Sequence, residues 1–325
     1  MQEKRTLDGL RDTVEELRTT LHQFYNEWQH EVGYSEDGEP SPIYIDNNIS
    51  MHDLGAALHH GSNVLESIIK NIKNNGLKIT AKHLYFKPKF LTWCSKQKCR
   101  IICGSLLTEA LVFEQINFST IGQNVTFFGI NVNVSFLFCN IHSKVTCFDF
   151  HNCRTAIFLK SDVFDELFEM CPSAIIVIRA CEGLERVTKI GYTNTKEVSI
   201  TFEDTPPTNF FNALRDCRLH NLKIEYEGDL PAQSLNSICR YVTTRELTLG
   251  CAIDQTFQPI NFFFLGGNVD VKWTRTVKAR QTNPLFVRAM SAVLMHIEDY
   301  GCGTSSLIAC QEMLIEKGLS KYAKI

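Results

Sequence analysis

The sequence contains no apolar run approaching the ~20 residues that a membrane-crossing helix needs, and its opening stretch, MQEKRTLDGL, is charged. The expectation is a protein with no membrane partner and no secretory leader, working inside the cell, cytoplasmic or nuclear. An excess of one charge sign is missing as well, since 33 Lys and Arg stand against 36 Asp and Glu. Broad nucleic-acid binding requires a concentrated basic field, and none is present. Lys87, Lys89, Lys96, Lys98 and Arg100 are close together but alternate with Phe90, Leu91 and Trp93, as the wet faces of apolar elements do.

Motifs that carry chemistry are absent too. There is no G-x-S-x-G elbow, and GCGTSS at 301–306 lacks both the P-loop lysine and a preceding strand, so it reads as a turn between helices. Cys94, Cys99 and Cys103, with His83 nearby, come nearest to a metal set, but their spacing does not match paired Cys-x-x-Cys knuckles. His59 and His60 are adjacent and cannot share a helix face. Asp149, His151 and Asp162 are near one another, yet Asp149 and His151 simply alternate with Phe148 and Phe150 as outward side chains would. No catalytic residue, metal or cofactor is expected. The thirteen cysteines, an odd number, suit reduced and buried small apolar residues. Asn48, Asn117, Asn124 and Asn133 open Asn-x-Ser/Thr triplets, which arise readily by chance.

What the chain does have is core material: 44% of its 325 residues are hydrophobic, enough for one elongated domain or two compact ones. Leu7, Leu10, Val14, Leu17, Leu21, Phe24 and Trp28 step by three and four, which predicts an amphipathic helix over 1–33. Its stripe suits self-association into a homo-oligomer, a partner helix, or docking on the chain's own core. Residues 34–49, including GYSEDGEPSP, read as a linker. A helical cap over 50–76 follows, with Ser50 as N-cap, Leu65, Ile68, Ile69 and Ile72 at helical spacing, and Gly76 as C-cap.

The region 77–280 carries a repeat. Leu222, Ile224 and Tyr226 alternate with Lys223, Glu225 and Glu227, and Leu247, Leu249 and Cys251 do the same one period later. Equivalent runs begin at Ile176, Val198 and Val269. Between them, SDVFDELFEMCPS, PPTNFFNALRDCRLH and LPAQSLNSICRYVTTR have helical spacing, with Pro207 and Pro231 near the predicted starts. Strand, helix and strand recurring at a near-constant period predict a right-handed parallel α/β repeat solenoid. At FDFHNC, Phe148 to Cys153, the chain resembles the leucine-rich-repeat class, with Cys153 at the buried Asn or Cys position and phenylalanine often standing for leucine. Upstream, LVFEQINF, VTFFGINV and VSFLFCNI share a two-three-two apolar spacing with no room for helices, which fits helix-poor repeats or β-helix coils. Residues 281–325 predict a C-terminal helical cap, with Asn283 and Pro284 opening a helix that carries Phe286, Met290, Val293, Leu294 and Ile297.

If the apolar members of each strand point inward, Ser199, Thr201, Glu203, Lys223, Glu225, Glu227, Glu246, Thr248, Asp270 and Lys272 form an outward row. Solenoids bind proteins on such faces, so a non-enzymatic protein-binding module is expected. NVLESIIKNIKNNGLKITAKHLYF and FNALRDCRLHNLKIEYEG are similar in style to the repeat regions of nematode F-box-associated proteins. That resemblance implies a substrate-recognition or adaptor subunit of a ubiquitin ligase, although no F-box is seen before Asn75. The enzyme-class alternative is a β-helix carbohydrate-active protein, suggested by residues 110–150.

Overall fold

The computed structural model describes residues 18–19, 21–23, 25–26, 44–45, 56, 67, 70–71, 75–86, 88, 91–92, 95, 100–121, 125–141, 148–265, 270–273 and 283–324. The chain is mixed α/β, with parallel strands and few helices, and it divides into two compact units, Met1–Cys153 and Arg154–Ile325. Among the described residues no sheet closes into a barrel. Of the N-terminal stripe, Leu21 is helical and buried, while Leu7, Leu10, Val14, Leu17, Phe24 and Trp28 lie outside the described residues. The same holds for His59, His60, Cys94, Cys99 and most of the predicted cap at 50–76. The predicted linker at 34–49 is not linker throughout: Tyr44–Ile45 (β1) pairs antiparallel with Leu77–Thr80 (β2).

In the first unit two sets of parallel strands alternate along the chain. One joins β2 to β4 (Ile101–Cys103), β6 (Val125–Ile130) and β8 (Phe148–His151); the other joins β3 (His83–Phe86), β5 (Ala110–Glu114) and β7 (Asn133–Leu137). Leu77 aligns with Ile101 and Ile101 with Val125, two steps of equal length along the chain. Phenylalanine fills the space these strands enclose. Phe86, Phe113 and Phe136 occupy matching positions on β3, β5 and β7 and stack at 5.3 and 5.2 Å, close to the ~4.8 Å between neighbouring strands, so flat rings suit the column. Phe127 meets Phe113 edge-on at 4.8 Å.

The two-three-two spacing has a backbone cause. Gln115, Asn131, Phe138, Asn152, Lys160 and Ala180 each follow a strand directly and adopt the left-handed conformation, with φ between 45 and 55°. One such residue breaks the strict alternation, so the next inward side chain comes three positions on rather than two. Leu111, Phe113, Ile116 and Phe118 are buried on this plan, as are Val134, Phe136, Cys139 and Ile141. In VTFFGINV the break falls two positions later than the spacing predicts: Gly129 and Val132 are buried and Ile130 is half-buried. The residue after the break often donates a hydrogen bond back to the strands. Cys139 Sγ reaches Phe113 O (3.3 Å), Cys181 Sγ reaches Phe158 O (3.2 Å), and Ser161 Oγ reaches Leu159 O (3.0 Å). The position assigned to Cys153 alone therefore recurs after other strands.

A second device precedes two of the strands. Thr108 Oγ1 donates to Ala81 O at 2.8 Å and accepts from Ser105 N–H at 2.9 Å; Thr195 Oγ1 donates to Ser173 O at 2.8 Å and accepts from Tyr192 N–H at 3.1 Å. Both threonines are buried, and each ties a turn to the chain that precedes it by 27 or 22 residues.

In the second unit the strands run in chain order: β9 (Cys153–Leu159), β10 (Ser173–Arg179), β11 (Glu197–Phe202), β12 (Arg218–Leu230), β13 (Thr243–Ile253) and β14 (Asp270–Trp273). Ile178, Ile200, Ile224 and Leu249 align in one parallel register, as the repeat predicts, but the last strand is shifted by two: Leu249 aligns with Trp273, where the run from Val269 puts Val271. Val269 lies outside the described residues. The helical signals are realised unevenly. Asp165–Met170 (α1) and Ala232–Tyr241 (α2) are α-helical, but PPTNFFNALRDCRLH holds a 3-10 helix at Phe210–Leu214, and another spans Pro259–Phe264. A 3-10 helix rises about 2.0 Å per residue against 1.5 Å, so a short connection reaches further with it. Its apolar side is as expected, with Phe211, Leu214 and Cys217 buried. Asn212, Asn236 and Asn261 recur at the strand period on these connections, and Asn261 Nδ2 donates to Asn236 Oδ1 at 2.7 Å.

Strand β12 also runs longer than its alternation suggests, with an irregularity in register between Glu225 and Asp229. Tyr226 sits at its start, half-buried instead of inward, with its hydroxyl 3.1 Å from Thr205 Oγ1 and its ring against Gly228. Pro284–Tyr300 (α3) begins at Asn283, whose side chain accepts from Leu285 N–H and Phe286 N–H, and Thr304–Glu316 (α4) follows after the GCG break. Phe286, Met290, Val293 and Ile297 are buried and Leu294 is half-buried. The ring of His296 on α3 lies 6.1 Å from that of Phe263 in the last 3-10 helix.

Candidate functional site

Because Val198, Ile200, Leu222, Ile224, Leu247 and Leu249 are buried, their strand neighbours emerge on the opposite face of the second unit's sheet. Parallel register sorts these neighbours into cross-strand rows. One row is Glu197, Asn221, Glu246 and Asp270; the next is Val177, Ser199, Lys223, Thr248 and Lys272; a third is Arg179, Thr201, Glu225 and Gly250. The predicted members Ser199, Thr201, Lys223, Glu225, Glu246, Thr248, Asp270 and Lys272 thus share one face. Glu203 is exposed just past the end of β11, and Glu227 is exposed within the register break of β12, so neither stands in a row.

The charges on this face are paired. Lys223 Nζ lies 2.6 Å from Glu225 Oε1, and this hydrogen bond holds the Glu225 carboxyl below its usual range, helped by Thr201 Oγ1 at 3.2 Å and by the charge of Arg179. Lys272 Nζ lies 2.7 Å from Glu246 and 3.6 Å from Asp270, and the bond to Glu246 raises the lysine above its usual value. Lys160 meets Glu203 at 3.2 Å. Pairing of this sort leaves a face that is polar but nearly balanced in charge.

Alternation in the row did not reveal its other half. Ile157 and Leu159 on β9, and Ile175 and Val177 on β10, are half-buried on the side opposite the core residues Phe158, Ile176 and Ile178. Ile175 aligns with Glu197 and Val177 with Ser199, which continues the outward rows as an aliphatic patch. The run from Ala174 to Ile178 is apolar throughout, so its composition does not say which members face out. Stepping back one strand period from the polar positions Glu197 and Ser199 would have found them.

The described residues among those considered for chemistry are paired or buried. Asp149 and His151 are exposed on β8 and paired at 2.8 Å. Asp162 is buried and bound by Arg186 at 2.6 Å. His83 lies 3.5 Å from Glu109, and Tyr85 hydrogen-bonds Glu114, with its hydroxyl pushed up to about 12 by burial and by that carboxylate. Cys103 is buried, and burial raises its thiol far above the ordinary value; Cys139 is pushed up to about 12 and Cys181 to about 11 for the same reason. Such thiols are poor nucleophiles at neutral pH. Among the described residues no three His, Cys, Asp or Glu gather in a way that could hold a metal ion. No described helix is long and apolar enough to cross a membrane. No family model, curated protein or solved structure matches this chain.

Proposed function

We propose that this protein is a non-enzymatic binding module that recognises another protein on the outward face of β9 to β14. The strands are read as successive turns of a leucine-rich-repeat-like solenoid, helix-poor and β-helix-like in the first unit. The near-constant separation along the chain of the aligned residues Ile178, Ile200, Ile224, Leu249 and Trp273 supports that reading. The observation that carries the function is the aliphatic patch of Ile157, Leu159, Ile175 and Val177 beside rows of paired charges. An apolar centre with a hydrogen-bonding rim is the anatomy of a protein interface, while a face serving solubility alone would not keep four large aliphatics. An adaptor or substrate-recognition subunit, such as one serving a ubiquitin ligase, is the role that suits a binding face without catalytic groups.

The test is affinity capture with the wild-type chain, identification of the bound protein, and measurement of its affinity for purified variants. Ile175→Ser with Val177→Ser is expected to weaken binding about tenfold or more, since truncating buried interface anchors costs on the order of 1 to 2 kcal/mol or more. Undiminished affinity in a folded variant would remove this face as the binding surface.

A further inference from the structure

The buried threonines Thr108 and Thr195 frame two turns of the same construction, and what each carries at its tip differs. In both, the threonine N–H donates to the carbonyl three residues back: Thr108 to Ser105 at 3.3 Å and Thr195 to Tyr192 at 3.0 Å. In both, the residue after the threonine is tied to the residue that follows the threonine's own acceptor, Glu109 N–H to Lys82 O at 2.7 Å and Lys196 N–H to Ala174 O at 2.8 Å. The tip of the second turn is Thr193 and Asn194, both exposed, as solvent and turn chemistry favour. The tip of the first is Leu106 and Leu107, 68% and 83% exposed.

This frame places no apolar demand on its tip, since a polar pair serves it in the second unit. Scattered single hydrophobic residues on a surface are ordinary, but two adjacent leucines at the apex of a hydrogen-bonded turn make one projecting apolar knob. The knob is also held in place. Leu107 N–H donates to Ser105 Oγ at 3.1 Å, Ser105 N–H donates to Thr108 Oγ1, and Thr108 is anchored in turn on Ala81 O. Little conformational freedom is then lost when such an element is buried by a partner.

We propose that Leu106 and Leu107 form an insertion element that seats in an apolar cleft of a partner protein. Charge around the tip selects this occupant over a lipid surface. Lys82 is neutralised by Glu109 at 3.4 Å, and Glu109 also faces His83 at 3.5 Å, so the described residues of the turn offer no basic ring for anionic headgroups. Two leucine side chains without such a ring supply less than the single acyl chain that is itself only a marginal membrane anchor. The cleft is therefore apolar at its floor and neutral at its rim. The inference concerns the first unit and does not depend on the outward face of β9 to β14.

The experiment places a photoreactive benzoylphenylalanine at Leu107 in the full chain, with the same probe at Asn194 as the matched control, and irradiates each in the native cell. One protein adduct specific to the Leu107 probe is expected. That protein is then purified and its affinity measured for the wild type, for L106S/L107S, and for T193S/N194S. A loss of at least tenfold in L106S/L107S, none in T193S/N194S, and unchanged thermal midpoints in both would support the proposal. Equal affinity of all three proteins would overturn it. So would the absence of any Leu107-specific adduct, or an adduct only with a second copy of this chain. Sedimentation with vesicles of phosphatidylcholine and phosphatidylserine that is lost in L106S/L107S would assign the knob to lipid and overturn the protein cleft.

Discussion

At the scale of single residues, the structure is held by small polar groups in buried places. Thr195→Val keeps the shape but leaves Ser173 O and Tyr192 N–H without their partner, so a loss of ~1 to 3 kcal/mol is expected in urea unfolding. Thr195→Ser should restore most of it, because the hydroxyl is what both bonds use. Ala180 adopts φ 52°, where an L side chain costs ~1 to 2 kcal/mol. Glycine removes that cost but adds chain entropy of ~0.5 to 1 kcal/mol, so Ala180→Gly should gain roughly 0.5 kcal/mol in denaturant melts, and Ala180→Val should lose stability. The buried thiols give the protein an alkaline limit. Cys181 holds its proton up to about 11 when folded, while an unfolded cysteine releases it near ~8.5. The folded state then binds more protons across that interval. The contribution is complete below ~8.5 and is lost as pH rises toward 11. Urea midpoints should fall across this range, and less steeply in Cys181→Ser.

At the scale of elements, the strand register makes sharp demands. Ile224 is fully buried between Ile200 and Leu249, and its truncation to alanine should cost ~2 to 5 kcal/mol. Its neighbour Lys223 points to solvent, and Lys223→Met should change stability little. The readout for Lys223 is electrostatic: without its hydrogen bond the Glu225 carboxyl should titrate higher, measurable by carboxyl NMR. A carboxyl held low when folded adds stability above its unfolded pKa of ~4.3 and loses it as pH falls, so Lys223→Met should flatten the acid limb. The left-handed residues after the strands have no signature of composition. Gln, Asn, Phe, Lys and Ala all occupy them, because the turn is imposed by the core on either side and not by local preference. The corner in VTFFGINV accordingly falls at Asn131, two positions after the place the spacing gives it.

At the scale of the whole molecule, the two units use the same turn frame and the same post-strand corner on different connections. In the first unit the parallel strands of one set are joined through strands of the other; in the second, they are joined through short helices. The face proposed for binding is decided at this scale. Reversing Glu203, Glu225 and Glu227 to lysine should separate the row from its surroundings. Glu225 belongs to it, Glu203 lies past the end of β11 and Glu227 within the register break, so Glu225→Lys alone should account for most of any loss of partner affinity in calorimetry.

Counting along the chain was enough to set the strand register from β10 to β13, though not that of β14. Alternation has a period of two, and residues aligned in a parallel ladder recur at nearly constant separation, so Ile178, Ile200, Ile224 and Leu249 could be matched before any fold was known. The helix start at Asn283 was legible in the same way, because an amide side chain there caps two N–H groups within three residues. Other features depend on contacts that no local pattern records. The bonds of Thr108 and Thr195 reach 27 and 22 residues back. Ile175 and Val177 face outward only because Ile176 and Ile178 fill the core beside Val198 and Ile200. The difference between Leu106–Leu107 and Thr193–Asn194 has meaning only once both are seen on one frame. Periodicity is written into neighbouring residues, whereas a contact between distant ones exists only after the chain has brought them together.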